Sequence, residues 1–291
     1  MIEQFGIAAS SLPALTFEQD LDVLVAAEVG GIGIDESMLG TGPDAGRLAQ
    51  FYESGLRATS AAPTLHSIFP VAGPSSAVSD ADLAERLGRM CSSVRRLAAF
   101  DPVAIKVQTG PLCGRSLAEF RALVVHGLRM LARTATKLHP RPFQIGLEPV
   151  APEWAAYGWP VTSLSGAAEL IDEAGEPNVR LVLDTWHQAD VATEEIARLT
   201  NRVVLVEIAE RGRGAPYPAG SASAERRAMR ADGGDCAALV RSLFEAGYRG
   251  WYELEAPVGA SPDSAESALA AARRVFRDFH RTLVAPDGLR A

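Results

Sequence analysis

The sequence predicts a closed (β/α)₈ barrel, an α/β fold built from one repeating unit. Three observations carry this reading. Short apolar runs alternate with longer helical patterns eight times along the 291 residues, and strands separated by helices must be joined by crossovers, which favours a parallel sheet. Eight such units in this length match one closed barrel. The rival, an open doubly wound sheet, would carry a glycine-rich phosphate turn after its first strand, and "IAASSLPALT" has no GxGxxG, nor does the chain contain GxxxxGK[ST]. No linker is long or biased enough to divide domains, so residues 1–291 are read as a single barrel domain.

The elements follow in order. Residues 4–10 (QFGIAAS) read as the first strand and 16–30 as the first helix, with Phe17, Leu21, Leu24 and Val25 at helical spacing and a glycine stop. Residues 31–35 (GIGID) and 43–55 repeat the plan. The third unit is 57–66 with 79–100, the fourth 102–108 with 116–138, the fifth 143–148 (FQIGLE) with 163–175, and the sixth 179–184 (VRLVLD) with 192–200. In the seventh, 202–210 (RVVLVEIAE) leads through an irregular Gly/Pro/Ser-containing loop at 211–234 to a helix at 235–247. Long loops after barrel strands carry function or cover a site. The eighth strand is 250–255 (GWYELE), and the helix at 264–283 closes the chain.

Composition narrows the function classes. With 28 basic against 36 acidic residues, net −8, and no basic stripe, nucleic acid and anionic membrane surfaces are poor partners. Cys91, Cys113 and Cys236 form no CxxC pair, which points to a reducing compartment without a disulfide framework or structural zinc site. The N-terminus carries an acidic residue where a signal peptide would be basic, and nowhere are there 18 consecutive apolar residues. The expectation is a cytoplasmic protein acting on a small molecule, with self-association into a homo-oligomer left open.

Barrel active sites lie at the C-terminal ends of the strands, where side chains alternate between lumen and helical layer. Glu148, Asp184, Glu207 and Glu255 end four consecutive strands, and the apolar residue before each (Leu147, Leu183, Val206, Leu254) can face the helices. Asp35, His66, Lys106 and Gln108 end strands two to four, and His187 follows Asp184 by three residues. A lone carboxylate at a strand end is most often a cap or a loop salt bridge, but four in one mouth repel, so they need a cation or raised pKa values. Four oxygen donors around one divalent ion leave a net charge of about −2 for Lys106, Arg213 or an imidazolium to offset. Hard oxygen ligands favour Mn²⁺ or Mg²⁺, with Co²⁺ as an alternative. Glu253 shares a face with Glu255 and competes with it for the inward position. Arg211, Arg213, Arg226, Arg227 and Arg230 in the seventh loop offer a phosphate site if the substrate carries one. Trp154, Trp159 and Trp186 offer an apolar wall, although packing is the commoner role of a large aromatic.

These residues carry a family resemblance. "LVLDTWH" resembles the Asp-x-x-His strand of the xylose isomerase-like TIM-barrel sugar isomerases and epimerases. "GYRGWYELE" resembles their closing Gly-Tyr-x-Gly turn and eighth-strand glutamate, "IGLEPV" their fifth-strand glutamate, "GIGID" their second-strand acidic segment and "LHSIFP" their third-strand His-Ser segment. The resemblance runs over about residues 4–280. It implies metal ligands at Glu148, Asp184, Glu207 and Glu255, substrate-facing groups at His187 and Arg213, and an acid/base pair in Glu148 and Glu255 working on opposite faces of a substrate carbon. His66, Lys106 and Trp154 join the expected substrate contacts. One departure stands out: Glu207 occupies a place where these epimerases usually carry His or Gln.

The implied chemistry is proton abstraction beside a carbonyl through an enediolate stabilised by one divalent ion, on a carbohydrate or cyclitol. Proton return to the same carbon gives an epimerase and to the neighbouring carbon an isomerase. Loss of a β-hydroxyl gives a dehydratase of an inosose- or dehydroshikimate-like ketone, the alternative reading. A metal-free sugar-binding module is the non-enzyme alternative.

Overall fold

A computed structural model describes residues 4–71, 77–138, 143–211, 226–230, 234, 236–259 and 261–284. Eight parallel strands close into a barrel: β1 (Phe5–Ala8), β2 (Gly31–Asp35), β3 (Arg57–Ala62), β4 (Ala104–Val107), β5 (Gln144–Leu147), β6 (Val179–Asp184), β7 (Val203–Ile208) and, last in the chain, β10 (Trp251–Leu254). Each strand pairs with its neighbour in sequence, and β1 closes the ring by pairing with both β2 and β10. The helices around it are α1 (Phe17–Ala26), α2 (Ala45–Ser54), α3 (Asp80–Leu97), α4 (Leu117–Leu138), α5 (Leu164–Ala174), α6 (Thr193–Leu199), α7 (Cys236–Glu245) and α8 (Pro262–Val284).

The expected barrel is therefore the observed one, with shorter strands. The first strand stops at Ala8 and the third at Ala62, after which the backbone turns to build the mouth. Local chemistry sets the helix starts. Thr16 and Gln19 form a reciprocal capping box for α1, and Ser79 and Ser163 accept backbone N–H bonds at the starts of α3 and α5. Each satisfies donors that the first helical turn leaves unpaired.

The apolar core lies between barrel and helices. Leu147, Leu183, Val206 and Leu254 are all buried there, as their alternation with the strand-end acids requires. Phe5 of β1 stacks on Phe276 of α8 at 4.8 Å between ring centroids, and Phe69 stacks on Phe120 of α4 at 4.9 Å. Cys91, Cys113 and Cys236 are buried free thiols. Among the described residues no helix is long and apolar enough to cross a membrane.

Two features shape the lumen. In register, Asp184 pairs with Glu207 and Glu207 with Glu253 across β6, β7 and β10, so three carboxylates stand side by side on one inner face. Beside them, β1 and β2 carry glycines at Gly6, Gly31 and Gly33: a Cβ at Gly31 would lie 2.5 Å from Thr59 Cγ2, and one at Gly33 2.5 Å from Glu253 Oε1. Gly33 makes the room that the Glu253 carboxylate fills, and Gly31 the room for Thr59, which bonds it.

The segment expected as an irregular loop holds a two-stranded antiparallel ribbon, β8 (Glu210–Arg211) with β9 (Arg226–Arg227). Its register sets Glu210 opposite Arg227, an opposite-charge pair of the kind that stabilises adjacent strands.

One buried acid lies apart from the mouth. Asp20 of α1 is fully buried and neither carboxylate oxygen has a hydrogen-bond partner. Burial, helped by nearby Glu18, pushes its pKa up to about 7. A folded pKa above the unfolded one means that folding takes up a proton, so this contribution to stability is complete below the unfolded value near 3.8 and lost as pH rises through about 7. Asp20→Asn, which cannot ionise, should flatten the fall in melting temperature between pH 5 and pH 8.5, measured by calorimetry in matched ionic strength. Parallel wild-type and variant pH curves would contradict the assignment.

Candidate active site

The barrel mouth opens into a cavity of ≈ 380 Å³, within the range of small-molecule sites. Ser10, Asp35, Ser37, Thr64, His66 and Glu255 line it, with Ser10 bonded to Glu255, and so do Gln108, Glu148, Trp154 and His187. Lys106 and Arg226 line it as well, whereas Asp184 and Glu207, both 0% exposed, do not reach it.

The acids sort into two depths. Glu253 lies in the deeper layer, where it accepts hydrogen bonds from Ser60 Oγ at 2.9 Å and from Thr59 Oγ1. Lys106 reaches up from β4, donates to Glu207 and lies 3.6 Å from Glu253 Oε1. Both Glu253 and Glu255 thus face inward, but Glu253 is fully bonded into the barrel wall, while Glu255, one residue beyond β10, stands at the mouth beside Ser10.

In the upper layer, Arg226 of the ribbon donates to Asp184 Oδ2 at 2.6 Å and lies 3.1 Å from Glu255 Oε2. Its guanidinium stacks over Trp186 at 4.9 Å from the ring centroid. Trp186 N–H donates to Asp184 Oδ1 from the backbone at 2.8 Å, which fixes the carboxylate at the turn. Glu148 accepts from Gln108 Nε2 at 3.1 Å.

His187 completes the wall. Its Nδ1 accepts the Ala151 backbone N–H at 3.1 Å, so in the neutral ring the proton resides on Nε2. Nε2 lies 3.5 Å from Glu148 Oε1 and 3.7 Å from Asp184 Oδ2. Burial and the Arg226 charge outweigh the attraction of Asp184 and Glu255 and push the imidazole down to about 4, which keeps it neutral. A histidine in this tautomer is a donor towards carboxylates or a substrate oxygen, not a metal ligand.

Electrostatics mark the mouth as short of positive charge. Burial, reinforced by Asp184, pushes Glu148 up to about 7. Burial and Glu255 push Glu207 well up despite Lys106. Burial disfavours a charged Lys106, yet Glu207, Glu255 and Glu253 outweigh it and hold the ammonium well above its ordinary value. Burial likewise opposes ionised Asp184, but the Arg226 charge and hydrogen bond, with the Trp186 backbone N–H, hold it below the usual carboxylate range.

A divalent ion fits this donor set. Asp184, Glu207 and Glu255 can each turn one oxygen to within 4.8 Å of the others, as can Glu148, Asp184 and His187. The tautomer of His187 disfavours the second grouping. In the first, Glu207 Oε2 is buried without a hydrogen-bond partner, an orphaned acceptor of the kind a cation satisfies. All-oxygen donors suit hard ions.

The residues expected from sequence fall out as follows. Glu148, Asp184, Glu207, Glu255 and His187 converge at the mouth, and His66, Lys106 and Trp154 line the cavity. The Lys106 ammonium is engaged by Glu207 and Glu253. Arg213 lies outside the described residues. Of the loop arginines, Arg211 pairs with Glu153 and Arg226 with the strand-end acids. Arg226 was legible only as a member of a basic run. Thr59 and Ser60, which hold Glu253, carried no signal beyond being small polar residues in a strand.

A family model described as xylose isomerase-like TIM barrel matches residues 37–279. No curated protein matches the chain in sequence. Among solved structures, a xylose isomerase-like TIM barrel/4-hydroxyphenylpyruvate dioxygenase fusion protein is 19% identical with TM-score 0.75, covering 99% of this chain and 46% of its own. The chain thus spans about half of that fusion protein. The IolI protein with a bound zinc atom is 16% identical with TM-score 0.70, over 97% of this chain and 99% of its own. The 3-keto-D-glucoside 4-epimerase YcjR from E. coli is 18% identical with TM-score 0.67, over 94% and 99%. Likeness at these identities is a likeness of fold.

The glycine wall can be tested directly. Glu253 is held from three sides, so Gly33→Ala, whose Cβ would meet its carboxylate at 2.5 Å, should cost about 1–3 kcal/mol in urea unfolding, the range for overpacking. Gly46→Ala on α2, where a Cβ meets nothing within 4 Å, should be neutral or stabilising by up to about 1 kcal/mol. A Gly33→Ala protein as stable as wild type would contradict the packing described.

Proposed function

The chain belongs to the xylose isomerase-like TIM-barrel family, and from that premise we propose that it is a divalent-metal-dependent isomerase or epimerase of a sugar or sugar-like ketone. The observation that carries the reading is the orphaned, buried Oε2 of Glu207 amid Asp184 and Glu255, beneath a cavity flanked by Glu148 and Glu255. The zinc in the related IolI structure and the epimerase activity in the name of the E. coli relative agree with it. Asp184, Glu207, Glu255 and Glu148 would hold the ion, Mn²⁺ or Mg²⁺ by donor chemistry, with Co²⁺ an alternative. Bound there, the ion would polarise a substrate carbonyl and acidify the adjacent C–H.

The chain's own groups then divide the work. Glu148, with a pKa near 7, is poised to hold or release a proton at neutral pH. Gln108 orients it, and the Nε2–H of neutral His187 points towards it and a substrate oxygen. Glu255, partly exposed at the mouth, exchanges the proton on the other face. Ser10, Asp35, Ser37 and His66 present donors and acceptors to hydroxyl groups, and Trp154 an apolar wall. The departure at Glu207 has a charge rationale: the Lys106 ammonium bonded to it offsets the carboxylate that a neutral His or Gln at that place would not bring.

Two outcomes follow. The purified protein should take up about one Mn²⁺ per chain by equilibrium dialysis, and Asp184→Asn should lose most of that affinity while keeping its fold; no uptake by the wild type would contradict the site. Glu148→Gln and Glu255→Gln, once metal-loaded, should each lower turnover of an accepted ketose by at least about 10²-fold, the lower end for a general acid–base group. NMR in deuterated water should find deuterium entering the substrate without net conversion in one of the two. Full activity in either loaded variant would overturn the two-glutamate assignment. An unsaturated product formed with loss of water would move the reading to a dehydratase.

A further inference from the structure

Arg226 stands where positive charge is most wanted. Its side chain is 6% exposed, and the guanidinium bonds Asp184 Oδ2 at 2.6 Å and approaches Glu255 Oε2 to 3.1 Å. These are two of the three carboxylates that can converge on one cation. Arg226 also lines the cavity, which Asp184 does not reach. Of the Arg226–Asp184 pair, the guanidinium is the member that faces the cavity.

The seat of this arginine is incomplete. Nη2 is well bonded, but Nη1 has no aligned hydrogen bond, and its closeness to Glu255 is an ion pair only. Lys106, by contrast, is held by Glu207 and Glu253 in the barrel wall, on a strand within the closed sheet. Arg226 comes from a ribbon of two residues per strand outside the barrel. A cation carried on so short a ribbon can leave its partners at less cost than one built into the wall.

We propose that Arg226 is a built-in competitor for the metal site: its guanidinium pairs with Asp184 and Glu255 in the metal-free protein and must be displaced for a divalent ion to bind between them. The inference rests on the acid cluster being a metal site, as in the proposed function. It adds that metal affinity is set below what the carboxylates alone would give, and that metal-free protein is kept folded by an internal cation. Two like-signed cations cannot share the same pair of carboxylate oxygens, so occupation by one raises the free energy of the other.

The test is Mn²⁺ affinity of the full-length protein, measured by competition with a fluorescent chelator, for wild type, Arg226→Gln and Arg226→Lys. Arg226→Gln should bind Mn²⁺ at least about tenfold tighter, because a charge-assisted pair to two carboxylates is among the strong polar contacts. Arg226→Lys, a point charge that cannot span both carboxylates, should bind at least about threefold tighter. In EDTA, Arg226→Gln should melt below the wild type and gain more melting temperature on adding Mn²⁺. Should the glutamine variant not fold, the lysine variant decides alone. Wild-type or weaker affinity in the variants would overturn the competitor role while leaving the metal site standing. No Mn²⁺ binding by any of the three proteins would overturn the metal site and this inference with it.

Discussion

Five carboxylates cannot share one barrel mouth without compensating positive charge, and the arrangement of everything around them follows from how that charge is supplied. Lys106 is shared by the deeper pair, Glu207 and Glu253, and Arg226 by the upper pair, Asp184 and Glu255, so each cation offsets one charge of two. Glu148 has no cation of its own; burial and Asp184 push its proton affinity up towards neutrality. Five acids against two cations leave an excess of up to three negative charges, close to what one divalent ion offsets. The same deficit therefore gives a metal its reason to bind and gives Glu148 a pKa suited to proton transfer.

The barrel is what makes such crowding possible. Parallel register places Asp184, Glu207 and Glu253 in one row across three strands, a geometry that the closed sheet imposes and that no loop could hold as firmly. Glu253 in this row needs free volume, which Gly33 provides, while Gly31 leaves room for Thr59, and Thr59 and Ser60 donate hydrogen bonds to Glu253. The mouth is then finished by residues just beyond the strand ends. Glu148, His187 and Glu255 lie there, where the backbone leaves the sheet and each side chain can turn towards the cavity.

Much of this was legible in the sequence because strand alternation is a local rule. Apolar Leu147, Leu183, Val206 and Leu254 announce which neighbour faces inward, so Glu148, Asp184, Glu207 and Glu255 could be placed from their own segments. The choice between Glu253 and Glu255 could not be made that way. Both face the lumen, and their depth depends on partners in β3 and β4 that are distant in sequence. Lys106 was legible as a strand end, but its engagement with Glu207 depends on a chord across the barrel. Arg226 was hidden for another reason: its position depends on a ribbon register within a stretch whose composition reads as irregular loop. The tautomer of His187 likewise comes from a backbone N–H at Ala151, 36 residues away, which no motif encodes.

The central claim is that Asp184 at the end of β6 and Glu207 in β7, together with Glu255 just beyond β10, hold a divalent ion. Anomalous diffraction from crystals soaked in Mn²⁺, collected on either side of the manganese absorption edge, tests it most directly. The account predicts a single strong anomalous peak among the carboxylates of Asp184, Glu207 and Glu255, with the Arg226 guanidinium displaced from Asp184. A peak beside His187 Nε2 instead, or no peak within the barrel mouth, would contradict it.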